Sequence, residues 1–419
     1  MKNRKRKIRN LLRAVCFGTA VCLALTSCSL SEYPKTILLD DKADSPAPVE
    51  PGAFRYEMKK MYQQETVRLH IPSASAVEWT PTGDNRLVRV SQGEEGELIF
   101  NTVDYRYGFY EPLASFSGDE FSSYSLSPGG QWVVLKKAAV GQPSSLLLRS
   151  LNLNEEAETL HSLNTSSSAD LSLTAFWSPN GRYFATIDWG DETWGLPGEG
   201  DRGTLYVYDC QEKILLNRRS VYAPRTDYRG VLSNDGQYLF AASMIEKDDN
   251  AYFWFTSEPT EMTEPDPNTA PGLLSFDAPV RSIAYTEREG IPTFLYTTPQ
   301  MIGQVTITNS VLEMSRLKSV PRPREIAVTA DGTAVAYLKE TGSGKADIYL
   351  SALAADGLSE GSLLYKEVDL QTSLCFGSHD RCLLAETVSG NLSYDMGLAA
   401  EGGTAKWGWL SSSLVIELQ

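Results

Sequence analysis

The chain has 419 residues, 42% of them hydrophobic, and its 38 Lys and Arg against 53 Asp and Glu give a formal charge of −15. That balance excludes the broad basic face that binding to nucleic acid requires, so no nucleic-acid partner is expected. Six cysteines in a chain of this length are too few for a disulfide scaffold, and the fold must be held by its core.

The N-terminus carries Lys2, Arg4, Lys5, Arg6, Lys7, Arg9 and Arg13 with no acid among them. An apolar run over residues 14–25 follows. It is shorter than the roughly 20 residues a membrane-spanning helix needs and fits the apolar segment of a secretory signal. The run ends in Leu25-Thr26-Ser27-Cys28, which resembles the lipobox of bacterial lipoproteins. The resemblance implies transfer of a diacylglyceryl group to the Cys28 thiol and cleavage before it. Residues 1–27 are then a signal peptide, and the protein is expected on the extracytoplasmic face of a cell membrane, held by lipid on Cys28. Two acyl chains anchor stably where one binds only reversibly. Loss of residues 1–27 removes seven positive charges and leaves the mature chain near −22.

Residues 28–64 read as the lipidated cysteine and a flexible tether, with Pro34, Pro46, Pro48 and Pro51 among mixed charges. Within this stretch, Phe54, Met58, Met61 and Tyr62 fall near one face of a short helix predicted over residues 54–64.

From residue 65 the pattern changes to short runs rich in Val, Leu, Tyr, Phe and Trp, separated by Gly, Pro, Ser, Asn and Asp clusters, which is the signature of many short strands. One unit recurs: an apolar strand, a tight turn, and an aromatic-rich strand. Its clearest copy is Ala175-Phe176-Trp177-Ser178-Pro179-Asn180-Gly181-Arg182-Tyr183-Phe184-Ala185. Others centre on Ser127-Pro128-Gly129-Gly130, Ser233-Asn234-Asp235-Gly236 and Thr329-Ala330-Asp331-Gly332, with an early copy at Thr80-Pro81-Thr82-Gly83. Proline presets φ for the turn, and the glycine supplies a positive φ. Gly83, Gly130, Gly181, Gly236, Gly290, Gly332 and Asp380 mark seven units spaced by 42 to 55 residues. A period near 50 with a tight first hairpin implies a four-stranded propeller blade.

These repeats resemble the WD40-like, TolB-type propeller family, whose blades carry a Ser-Pro-Asp-Gly turn between the first two strands. The resemblance covers residues 65–419 and implies an all-β fold, a β-propeller; the seven anchors set the number of four-stranded blades at seven. Two departures stand out. The units at Gly290 and Asp380 lack the turn motif, and familiar TolB propellers have six blades. Ring closure requires the chain ends to share a blade, and residues 66–71 and residues 414–418 compete for the outer strand.

The chemistry is sparse. His70, His161 and His379 are scattered, and neither a metal triad nor a Ser-His-Asp set suggests itself. No cofactor or metal is expected. Cys375 and Cys382 flank the last hairpin; a turn centred on Ser378-His379 would place them opposite each other and admit a disulfide, the alternative being two buried thiols. The loops between second and third strands are acidic. The third and fourth blades supply Trp189, Asp191, Glu192, Trp194, Asp248 and Asp249 as a candidate binding face, while the plainer reading is that these acids solvate the loops and the Trp residues cap a blade. The composition therefore favours a non-catalytic binding or scaffold module with an envelope protein or a wall component as partner. A propeller enzyme of the glycoside hydrolase or lyase class, with paired carboxylates at the channel, is the alternative.

Overall fold

The computed structural model describes residues 58–68, 79–81, 86–92, 97–104, 107, 109–117, 123–139, 142–151, 158–162, 173–189, 201–224, 226–244, 250–256, 273–309, 311–342, 344–355, 357–377, 382–394 and 406–418. The signal segment, Cys28 and the tether up to residue 57 lie outside them.

The described residues form seven antiparallel blades. β1 (Met58–Arg68) comes first in the chain but is used last. Blade 1 is β2 (Trp79–Pro81), β3 (Arg86–Gln92), β4 (Leu98–Asp104) and β5 (Phe109–Phe116). Blade 2 is β6 (Ser123–Leu126), β7 (Trp132–Ala139), β8 (Gln142–Ser150) and β9 (Glu158–Ser162). Blade 3 is β10 (Ala175–Trp177), β11 (Tyr183–Asp188), β12 (Asp201–Asp209) and β13 (Ile214–Ala223). Blade 4 is β14 (Tyr228–Leu232), β15 (Tyr238–Ser243), β16 (Asn250–Phe255) and β17 (Leu273–Ser275). Blade 5 is β18 (Ser282–Arg288), β19 (Ile291–Thr298), β20 (Met301–Thr308) and β21 (Val311–Ser319).

Blade 6 is β22 (Pro323–Val328), β23 (Ala334–Glu340), β24 (Lys345–Ala354) and β26 (Ser362–Asp369), with the two-residue β25 (Gly357–Leu358) folded against the end of β24. Blade 7 is β27 (Ser373–Phe376), β28 (Cys382–Tyr394), β29 (Lys406–Leu418) and, at its outer edge, β1. The ring is thus closed by the N-terminal strand, which pairs with β29 from Met58↔Leu418 to Arg68↔Trp409. Both runs that competed in the sequence take part, residues 66–68 in the outer strand and residues 414–418 in the third. The helix predicted over residues 54–64 is corrected: Met58 onward is strand, because the ladder offered by β29 outweighs a weak local helical pattern.

The turn between first and second strands is built the same way in four blades. In each, the first turn residue is a hydroxyl with no exposed surface: Ser127, Ser178, Ser233 and Thr329. Its carbonyl accepts from the glycine N–H three residues on, at 3.0 Å to Gly130, 2.8 Å to Gly181, 3.0 Å to Gly236 and 3.0 Å to Gly332. Its side-chain oxygen accepts from the amide opening the second strand, at 2.9 Å for Trp132, 2.9 Å for Tyr183, 3.0 Å for Tyr238 and 2.9 Å for Ala334. All four glycines have positive φ. Blade 5 lacks the motif because its hairpin needs only two residues: Arg288 pairs with Ile291 across Glu289 and Gly290, both at positive φ.

These turns also touch one another. A Cβ on Gly181 would come 2.3 Å from the Pro128 carbonyl oxygen of blade 2. The Asn180 amide group donates to the Asn234 carbonyl of blade 4 at 2.9 Å.

Strands buried on both faces read as continuous apolar runs rather than alternating ones, and β11 and β15 do so with Phe184-Ala185 and Leu239-Phe240-Ala241. Alternate residues then serve different neighbours. Phe184 packs with Val134 and Leu148 of blade 2, while Ala185 faces Leu239 and Trp254 of blade 4. Each of the seven interfaces has its own apolar cluster, including the seam where Leu87 and Val103 of blade 1 meet Cys382, Leu384 and Val415 of blade 7.

Two stability outcomes follow from the turns. Ser178→Ala strands a buried amide and should cost about 1–3 kcal/mol in denaturant unfolding. Left-handed backbone costs an alanine about 1–2 kcal/mol. Gly129→Ala, with open space around it, should lose no more than that, whereas Gly181→Ala adds a collision with Pro128 and should lose clearly more in the same titration.

Candidate functional site

Antiparallel pairing sorts the strand ends onto two faces. The tight turns between first and second strands lie on one, here the turn face. The other, the loop face, receives the starts of the first and third strands, the ends of the second, and the connections between blades. The first strands are innermost and surround the central axis, so their starting residues form its mouth on the loop face.

Asp191, Glu192, Trp194, Asp248 and Asp249 lie outside the described residues. Trp189 is described, and it is only 8% exposed. Its ring stacks on Tyr228 of blade 4 at 6.2 Å and 28°, and a Cβ on Gly203 would stand 2.7 Å from it. Trp189 is therefore an interface residue of blades 3 and 4 rather than a solvent-facing aromatic, because the small Gly203 leaves the indole a place to sink.

Cys375 pairs with Leu384, not Cys382, and Gly377 donates to the Cys382 carbonyl at 2.8 Å. The hairpin centres one residue later than Ser378-His379. The register does not set the two sulfurs opposite each other, and they stand as separate thiols. Burial, with Cys382 and Glu386 nearby, pushes the Cys375 thiol up to about 12, and burial also raises that of Cys210. Thiols so raised stay protonated and unreactive at neutral pH. Among the described residues no three His, Cys, Asp or Glu side chains gather as a metal site would require.

A charged cluster occupies the mouth at blades 4, 5 and 6. Arg229, near the start of β14, donates to the Arg281 carbonyl of the next blade. Arg281, just before β18, donates to the Pro323 carbonyl of blade 6 at 3.3 Å. Arg324 donates through Nε to Glu340 Oε2 at 3.0 Å. Arg281 and Arg322 approach the same carboxylate at 3.9 Å each. Glu340, at the end of β23, is 17% exposed and so serves three guanidinium groups at once.

Glu325 completes the cluster. Burial pushes its carboxyl up to about 7, against the downward pull of the Arg229 charge and of a hydrogen bond with Ser282. The cluster holds four arginines and two glutamates, one of which is partly protonated near neutrality, so it is a basic spot in an acidic chain. Sequence reading missed it. The signal was present in Pro321-Arg322-Pro323-Arg324-Glu325, but the contributions of Arg229 and Arg281 from other blades have no local mark.

The chain matches no family model and no curated protein. Among solved structures it is similar to a chain of the mitotic checkpoint complex, with 8% identity and a TM-score of 0.50 over 81% of this chain and 95% of that one. It is also similar to the β-propeller domain of the trilobed protease from Pyrococcus furiosus, with 9% identity and a TM-score of 0.40 over 79% and 90% of the two chains. At such identity the likeness concerns the fold alone.

The raised Glu325 carboxyl has a pH consequence. Its folded-state value, about 7, lies above the ordinary 4.5, so the folded state binds the proton more tightly. The stability it contributes is present below the ordinary value and is lost as pH rises through about 7. Glu325→Gln removes that loss. Denaturant midpoints should show the variant gaining on wild type between pH 5 and pH 8; a constant difference would mean that Glu325 titrates normally.

Proposed function

We propose that this chain is an extracytoplasmic lipoprotein, anchored by lipid on Cys28, whose seven-bladed propeller is a non-catalytic binding module for an envelope protein or wall component. The observation that carries the binding reading is the charged mouth. Three guanidinium groups from two blades and the connection between them converge on Glu340 on the loop face. Loops and polar groups held on a rigid scaffold are where binding function concentrates.

The lipobox-like Leu25-Thr26-Ser27-Cys28 and the basic and apolar segments before it support the anchor. The chain enters the ring at Met58, on the turn face and at the outer edge of blade 7, because β1 runs from the Leu418 end of β29 to its Trp409 end. Met58 therefore lies on the face opposite the mouth. Linkers of about 30 residues with such composition span about 30 Å when flexible.

The test is metabolic labelling of a bacterial host with radioactive palmitate. Wild type should take up label and sediment with membranes. Cys28→Ser should take up none and appear in the soluble extracytoplasmic fraction. Label retained by Cys28→Ser would remove the anchor from this reading.

A further inference from the structure

At Glu340 three guanidinium groups meet a single carboxylate. A guanidinium carries five N–H donors and a carboxylate about four acceptor positions. Glu340 faces Arg281, Arg322 and Arg324 with two oxygens, and only Arg324 reaches it at hydrogen-bond distance; the other two stand 3.9 Å away.

Arg322 is the most exposed member, its side chain 62% accessible. Its backbone is nevertheless fixed. The Arg322 N–H donates to the Pro299 carbonyl at 2.9 Å, and its own carbonyl accepts from Glu340 N–H at 3.0 Å. Prolines flank it on both sides, and its φ is +53°. A non-glycine residue in left-handed backbone costs energy and persists where the surroundings impose it, most often at ligand clamps and active sites. Here the imposed conformation presents a guanidinium to solvent beside two others.

The geometry points to Arg322 and Arg324 as a receptor for a carboxylate side chain of an acidic segment in a partner protein. Arg324 already donates to a carboxylate, that of Glu340, at 3.0 Å, and planar guanidinium forks match carboxylate geometry well. The turn at Pro299 and Gln300, which joins β19 to β20, is only two residues long, so blade 5 raises no long loop between its second and third strands to cover the site. The net negative charge of the chain elsewhere confines an acidic partner to this spot by repulsion. This inference rests on the binding-module reading and adds the chemistry of the ligand.

The experiment titrates the full chain in detergent micelles with fluorescein-labelled hexaglutamate and follows anisotropy at low and high salt. Wild type should bind, more weakly at high salt. Arg322→Gln alone, at an exposed position that leaves the fold intact, should weaken binding, and Arg322→Gln with Arg324→Gln should weaken it by about tenfold or more. Glu340→Gln, which removes the competing carboxylate, should tighten it, an effect that a purely structural role for the cluster would not produce. Arg86→Gln, which alters the Arg86–Glu111 pair of blade 1, should change nothing. No binding by wild type, equal binding by the arginine variants, or weaker binding by a folded Glu340→Gln overturns the proposal. Displacement of the peptide by inorganic phosphate but not by free glutamate would do so too, by reassigning the ligand to phosphate. These outcomes are separate from palmitate labelling: loss of the anchor leaves the peptide titration unchanged, and loss of peptide binding leaves the label in place.

Discussion

The buried hydroxyl at the start of the tight turn is the interaction on which the rest of the propeller depends. Ser127, Ser178, Ser233 and Thr329 each accept from the amide that opens the second strand of their blade. An unanswered amide there would cost about 1–3 kcal/mol. Each hydroxyl also closes the first hairpin in a single register, since its own N–H bonds the carbonyl that opens the second strand. Register decides everything downstream, because a slip of one residue sends every side chain to the opposite face. In a blade both faces are interfaces, so a slip would exchange the two neighbours' contacts throughout.

Two-sided burial explains why this chain has seven apolar clusters instead of one core. No blade can bury its faces alone, and each is stable only between two others. A ring of such units has no free end except where the chain itself begins and ends. Pairing β1 with β29 removes that edge with main-chain bonds between residues more than 340 positions apart in sequence. The same pairing places Met58 at the outer edge of blade 7.

Charge is distributed against the average. The chain is strongly acidic, yet its most enclosed charges at blades 4 to 6 are mainly arginines gathered round Glu340 and Glu325. Of the three guanidinium groups around Glu340, that of Arg281 also donates to the Pro323 carbonyl, while the Arg281 carbonyl accepts from the Arg229 side chain. The cluster thus ties three blades together and holds the exposed Arg322 guanidinium beside Glu340.

The all-β class, the seven blades and the position of their first hairpins were legible in the sequence, since Ser-Pro-Asn-Gly and its relatives encode a local turn whose geometry needs no distant partner. The four-stranded blade was legible for the same reason, through a repeat length near 50. The closing strand was only half legible. Residues 54–64 carry a weak helical pattern, and what makes Met58 onward a strand is an edge supplied by β29. The inward turn of Trp189 depended on Gly203 across the blade, and the separation of Cys375 from Cys382 on a one-residue choice of turn. The arginine mouth was decided entirely by tertiary structure. Arg229, Arg281 and Arg324 lie between 43 and 95 residues apart and meet because successive first strands start on one face around one axis, a proximity that no local pattern in the chain records.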